Sequence, residues 1–298
     1  MKYELCQTMT KDGLALQGLL AESQRKGRTA AVWIGGLTSR ATNNPERTAA
    51  LAKTFTAHGI AFAVWDTRGH SAVTWFRRHG RKAARGKYFL AGTAFERFED
   101  SVRDIAAVIS FLKKRGYRKI FLLGHSTGAN KAAYYIQKKG GRGLAGIGLI
   151  APISDIPGIR KKLGRRYERA LRTAEKWFKE GKGDELLPRA VIGGDFYSAR
   201  RFRSIATLGE HEDTFPYYGA KRAFPWTRYV RLPILTVLPG ADLHADRPVT
   251  DILATFAKQI PKKYFSGRII PRADHGFSGK KHTLALARTI TNWILSSC

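Results

Sequence analysis

The segment Lys119-Ile120-Phe121-Leu122-Leu123-Gly124-His125-Ser126-Thr127-Gly128-Ala129-Asn130-Lys131 restricts what this chain can become more than any other. A short apolar run ends in Gly-x-Ser-x-Gly, and residues compatible with a helix follow. The pattern is that of a strand, a sharp turn and a helix, with Ser126 held in a strained conformation at the turn. A side chain at either glycine would collide with the neighbouring strand or helix. The pattern alone is weak, but its position after Ile120-Phe121-Leu122-Leu123 gives it weight. Ser126 is the candidate nucleophile.

The rest of the chain alternates strand and helix around this element. Tyr3–Met9 and Leu14–Leu20 alternate apolar and polar residues about Lys11-Asp12-Gly13, which predicts an antiparallel hairpin. Thr29–Ile34, Ile60–Trp65, Leu144–Ala151, Leu232–Leu238 and Ser266–Ile270 read as strands, most of them continuous apolar runs suited to burial on both faces. Pro45–His58, Phe98–Arg115, Ala129–Lys138, Val249–Gln259 and His282–Leu295 have helical spacing. The expected fold is α/β, with a mostly parallel central sheet flanked by helices. A chain of 298 residues with 43% hydrophobic content can bury a large core.

From Ser154 to Tyr229 the alternation stops. One helix of mixed charge, Arg165–Gly181, is followed by glycines, aromatics, Pro216 and Pro225. The expected organisation is a core of residues 1–153 and 230–298 with a cap inserted at 154–229. Twelve aromatic residues lie in that insertion. With Arg200, Arg201, Arg203 and Lys221 among them, they suggest a pocket for a bulky ligand with anionic or oxygen-rich character. The other reading is that several of the aromatics pack the cap onto the core.

An alcohol is a poor nucleophile at neutral pH, so Ser126 needs a base, and the base needs an orienting acid. In a chain built on this elbow the order is serine, then acid, then histidine, with acid and histidine in loops after C-terminal strands. Asp242 follows one such strand and His275, in Asp274-His275-Gly276-Phe277, follows the last. Asp246 competes with Asp242 and is expected at the start of the next helix. His125 adjoins Ser126, and adjacent side chains diverge, so it should not reach the same proton. Asp274 is too near His275 in sequence to lie beneath its ring. Donors for the developing oxyanion are expected at the Thr127 amide and, in Gly35-Gly36-Leu37, at the Leu37 amide.

These motifs together resemble the α/β-hydrolase superfamily over essentially the whole chain. Asp66-Thr67-Arg68-Gly69-His70 with Phe95-Glu96-Arg97-Phe98-Glu99-Asp100 resembles its serine esterase and lipase branch. A narrower resemblance is to the fungal siderophore-esterase family. It rests on Ile34-Gly35-Gly36-Leu37-Thr38, Gly124-His125-Ser126-Thr127-Gly128, Glu180–Pro188 and Ser198–Ser204. Members of that family hydrolyse ester bonds in iron-loaded hydroxamate siderophores inside the cell. The resemblance implies a Ser126–His275–Asp242 triad and a carboxylic ester as substrate. The chain departs from that family in its basicity and in its Asp66–His70 motif. Thioesterase, lipase and amidase chemistry share the same fold and triad.

Lys and Arg number 53 against 23 Asp and Glu, a formal net charge of +30. Such a surface can hold polyanions without sequence preference, or simply be solvated. A basic, non-catalytic binding protein on the same scaffold is the rival from another class. The densest basic run, Arg77–Lys87, has none of the context that base readout needs. No cofactor is implied, and no zinc-ligand spacing is visible. No apolar run is long enough to span a membrane, and the N-terminus lacks a secretory pattern, so a cytoplasmic location is expected. Cys6 should be buried and Cys298 exposed, with no disulfide framework. Nothing in the sequence sets an oligomeric state.

Overall fold

The computed structural model describes residues 2–24, 27–219 and 223–297. Its strands are β1 (Glu4–Met9), β2 (Ala15–Ala21), β3 (Thr29–Ile34), β4 (Ile60–Trp65), β5 (Thr74–Arg77), β6 (Tyr88–Ala91), β7 (Lys119–His125), β8 (Gly146–Ile150), β9 (Ile234–Pro239) and β10 (Phe265–Ile270). Its helices are α1 (Pro45–Ala57), α2 (Ser101–Lys114), α3 (Thr127–Lys139), α4 (Asp155–Leu163), α5 (Tyr167–Lys179), α6 (Arg189–Ile192), α7 (Ala199–Ala206), α8 (Val249–Gln259) and α9 (Lys280–Ser296). Eight strands form one sheet in the order β1-β2-β4-β3-β7-β8-β9-β10. From β4 to β10 every pairing is parallel; β2 joins antiparallel to β4, and β1 to β2.

The apolar runs fill both sides of this sheet. In β3, Ala30, Val32 and Ile34 enter one core cluster, while Ala31 and Trp33 enter the other. That is the period-two consequence of a strand covered on both faces. Cys6 is buried, and Cys298 lies outside the described residues. No helix among the described residues is long and apolar enough to cross a membrane.

The segment between β8 and β9 corrects the expectation of a single helix. It carries α4, α5, α6 and α7. Leu163, Tyr167, Ala170, Phe202 and Ile205 form a third apolar cluster there, with Leu37 packed against it. Its later part belongs to the main core instead: the Phe215 and Phe224 rings lie 5.2 Å and 4.9 Å from that of Phe256 on α8. Another pair of strands, β5 and β6, flanks the basic run 77–87 and forms a separate two-stranded sheet.

A buried ionic cluster ties α7 to the sheet domain. Lys131 on α3 pairs with Glu96 at 2.7 Å. Arg201 on α7 forms a two-pronged ion pair with Glu212, and its Nε donates to the Thr93 carbonyl at 3.0 Å. Asn130 Nδ2 donates to the Glu212 carbonyl at 3.0 Å. The side chains of all four charged members are 2% exposed or less. Removing one partner of a buried pair strands the other charge in a medium that solvates it poorly. Arg201→Met is therefore expected to reduce unfolding free energy by about 3–5 kcal/mol in chemical denaturation. A loss below about 1 kcal/mol would mean that water reaches the pair, as at a surface.

Candidate active site

Ser126 sits between β7 and α3 with φ 57° and ψ −129°, in the left-handed half of backbone space that a β-carbon disfavours. The turn is held from below by the Ser126 amide, which donates to the Ile150 carbonyl at 2.9 Å. The flanking glycines are sterically required. A β-carbon on Gly124 would stand 2.2 Å from the Gly128 carbonyl oxygen, and one on Gly128 would stand 2.3 Å from the Ile34 oxygen. The helix begins at Thr127, two residues earlier than expected. The Thr127 amide therefore belongs to a first helical turn, whose N–H groups lack intrahelical acceptors.

The loop after β3 closes over this turn. Thr38 donates its amide to Thr93 Oγ1 at 2.7 Å, and Ser39 donates to the Gly36 carbonyl at 3.3 Å. No acceptor for the Leu37 amide is found among the described residues. A β-carbon on Gly36 would come within 2.8 Å of Ser126 Cβ and 3.1 Å of the Thr127 nitrogen. Gly36, which precedes Leu37, thus packs directly against the Ser126 hydroxymethyl group and the Thr127 amide.

Parallel strands β9 and β10 bring their carboxyl-end loops side by side, and those loops hold the other two groups. His275 Nδ1 donates to Asp242 Oδ2 at 2.8 Å. The Asp242 side chain is fully buried, and its Oδ1 accepts the His244 amide at 2.9 Å. With Nδ1–H committed to the carboxylate, His275 keeps the lone pair on Nε2. Ser126 Oγ makes no hydrogen bond among the described residues. It lines one open cavity of about 960 Å³ together with Leu37 and His275.

Asp246 is not in a helix; α8 begins only at Val249, and the Asp246 carboxylate pairs with Arg247 at 2.8 Å. Asp274 accepts the Ser278 amide at 2.7 Å and stays clear of the ring. Arg68, in the Asp66–His70 motif, is buried against Asp104, Asp12 and Asp100 and serves the core. The cationic residues expected in the insertion are engaged elsewhere. Arg201 belongs to the buried cluster, Arg200 pairs with Asp184, and Arg203 with Glu175 and Glu210. Lys221 lies outside the described residues. Of the insertion's aromatics, Tyr197 lines the cavity. Its other charged walls come from Asp155, Lys161 and Lys162 on α4, from Asp195, and from Asp246.

Three cavity residues were not legible beforehand. His125 lies in the site itself. Its ring stacks on Trp33 at 5.4 Å, and its Nε2–H donates to the His275 carbonyl at 2.8 Å. Burial, reinforced by Arg47 and His275, drives its pKa well below the usual histidine range, so it acts as a neutral donor. His244 sets its ring edge-on to His275 at 4.6 Å. Asp155 opens α4 and faces the cavity; burial first, then the Glu212 charge, raise its pKa to about 7. Only Asp155 left a trace in the sequence, as an acid after a strand and before a proline.

Asp242, His244 and His275 bring ligand atoms within 4.8 Å of one another, a grouping that chain spacing did not reveal. Two of these groups already satisfy each other, so a metal there would compete with the Asp242–His275 hydrogen bond.

Solved structures with similar architecture include the siderophore hydrolase EstB from Aspergillus fumigatus. Its TM-score is 0.69 at 16% identity, covering 99% of this chain and 98% of that one. Est1E from Butyrivibrio proteoclasticus, bound to ferulic acid, gives 0.65 at 18% identity over 98% and 99%. The α/β hydrolase GrgF from a Penicillium species gives 0.65 at 16% identity over 100% and 98%. No curated protein matches the sequence. The fold is that of the α/β hydrolases, and the chain belongs to the family described as Protein of unknown function (DUF1749), which matches residues 91–295.

Proposed function

We propose that this protein is a serine hydrolase that cleaves carboxylic esters through an acyl-enzyme. The observation that carries the reading is the buried Asp242–His275 hydrogen bond in the same cavity as the strained Ser126. His275 Nε2 takes the Ser126 hydroxyl proton as Oγ attacks the ester carbonyl. Negative charge then grows on the carbonyl oxygen, where the Leu37 and Thr127 amides donate to it. Collapse breaks the acyl–oxygen bond, and the proton on Nε2 passes to the leaving alcohol. Water repeats the sequence on the acyl-serine, with His275 again as base, and releases the acid.

Asp242 holds the imidazole in the required tautomer and balances its transient positive charge. His125 steadies the His275 backbone from behind. Residues 154–229 act as the cap. Their contribution to the cavity is mixed, with Ile159, Ile205 and Tyr197 beside Asp155, Lys161, Lys162 and Asp195. That lining suits a bulky, polar-decorated ester better than a long acyl chain, which favours an esterase over a lipase. A siderophore-type ester fits this class, and the likeness to EstB supports including one among the substrates tested. A pure binding protein has no use for a buried carboxylate committed to a histidine beside a strained serine.

The test is a panel of p-nitrophenyl esters of rising chain length, run beside a ferric hydroxamate ester and a fluorophosphonate probe. Short esters should turn over, and the probe should label Ser126 alone. Absence of both turnover and labelling would end the proposal. A sharper result concerns the oxyanion space. Gly36→Ala should lower kcat by about 10²-fold, the loss typical of spoiling one oxyanion donor, because its β-carbon would crowd Ser126 Cβ at 2.8 Å and the Thr127 nitrogen at 3.1 Å. Unchanged kcat would place the carbonyl oxygen elsewhere.

A further inference from the structure

The part of the cavity lined by α4 mixes apolar and charged residues, and one of them, Asp155, carries a polar atom that the protein leaves unsatisfied. Asp155 Oδ2 is buried and has no hydrogen-bond partner among the described residues. An acid in the first turn of α4 suits the helix dipole. That accounts for an acidic residue but not for a carboxyl that caps nothing. Glu212 lies near it with like charge and Arg201 with opposite charge, yet Arg201 spends its guanidinium on Glu212. Tyr217, also nearby, accepts the Ser154 amide at 2.9 Å, and its hydroxyl is not within hydrogen-bonding reach of Asp155 Oδ2. The other acidic groups of the cavity are neutralised: Asp195 pairs with Lys162 at 2.7 Å, and Asp246 with Arg247 at 2.8 Å.

A buried acceptor without a donor costs stability. Such costs persist where the missing partner arrives with a ligand. The pKa of Asp155, raised to about 7, is the mark of the same deficit.

We propose that Asp155 is a substrate-recognition residue that accepts a hydrogen bond from a hydroxyl or protonated amine carried by the ester, and so selects donor-bearing esters over their alkyl isosteres. The proposal rests on the esterase reading above and names the substrate class of that site. It assigns no step of bond-making to Asp155.

The experiment measures kcat/KM for matched substrates with the protein as described. Methyl ω-hydroxyalkanoates and methyl ω-aminoalkanoates are compared with methyl alkanoates of equal heavy-atom count, over a range of chain lengths. Acetates of diols and amino alcohols are compared with alkyl acetates, to cover a donor on the alcohol side. In the parent, the best donor-bearing ester should exceed its isostere by about tenfold or more, as expected for a hydrogen bond to a charged group. Asp155→Leu should reverse that preference. Asp155→Asn should keep a preference for the hydroxyl ester and lose that for the amine, and a donor preference that survives in Asp155→Leu would overturn the proposal.

Melting temperature gives a second readout. A recognition residue left unsatisfied in the free protein predicts that Asp155→Asn melts at or above the parent temperature. A purely structural acid predicts a lower melting temperature with the substrate ratio unchanged, and that result would overturn the proposal. So would turnover of all the esters without any donor preference in the parent. Absence of turnover with every ester would instead sink the esterase reading, and this proposal with it.

Discussion

Alanine in place of Ser126 should reduce ester hydrolysis by about 10³-fold or more and leave the fold intact. The substitution removes one oxygen and nothing else. That oxygen makes no hydrogen bond among the described residues, so no partner is stranded by its loss. Alanine and serine also meet the same penalty at φ 57°, because both carry a β-carbon. Stability is therefore expected to stay level, and the whole effect should fall on turnover. Rate measurements beside circular dichroism and thermal melting separate the two. A clean Ser126→Ala preparation that keeps most of its activity would remove the serine from the chemistry.

Asp242→Asn should cost about 10⁴-fold in kcat, while Asp246→Asn should barely register. The reason lies in how many acceptors the site demands. Asp242 accepts from the His275 ring with one oxygen and from the His244 amide with the other. Asparagine has one carbonyl oxygen. If that oxygen serves the His244 amide, its NH₂ faces His275 and forces Nδ1 to become the acceptor, which puts the ring proton on Nε2 where the base lone pair must be. If it serves His275, the NH₂ opposes the His244 N–H. Asp246 has no bond to the ring and is held by Arg247. Steady-state kinetics on both variants, at matched folding, reads the ranking. The reverse order would transfer the orienting role to Asp246.

The central sheet was open to reading from sequence because its strands are covered on both faces. Thr29–Ile34 and Ile60–Trp65 are continuous apolar runs, and their limits coincide with β3 and β4. The candidate serine and acid were legible for a related reason, since Ser126 and Asp242 lie within three residues of such a run, while His275 was read from its place in the loop after the last strand. The insertion was harder. α4 carries Pro157 and Gly158 near its start, α6 lies between Pro188 and Gly193, and α7 includes three arginines in eight residues. α4 and α7 do carry apolar stripes, Ile156, Ile159 and Leu163 in one and Ala199, Phe202, Ile205 and Ala206 in the other, but these helices are too short and too interrupted for the spacing to stand out. β5 and β6 are only four residues each and are separated by the basic run.

Contacts made across long stretches of chain leave no local pattern at all. His125 and His275 are 150 residues apart, and only the folded sheet makes them neighbours. The arginines of the insertion illustrate the opposite error. Read as a string, Arg200, Arg201 and Arg203 looked like one feature. On a helix they point in different directions, and each found a separate acidic partner.

The position of β10 bears on how such a protein would wear out. β10 is the outermost strand of the sheet, paired on one side alone, and most of its residues are only partly buried. His275 hangs on the short connection between this strand and α9. Opening of a sheet margin requires far less free energy than melting the whole domain. A brief departure of β10 would carry the imidazole away from Asp242 while Ser126, seated in the middle of the sheet, kept its place. Heat inactivation would then begin as a reversible fraying of the C-terminal border, with aggregation through the newly bared edge as its irreversible sequel.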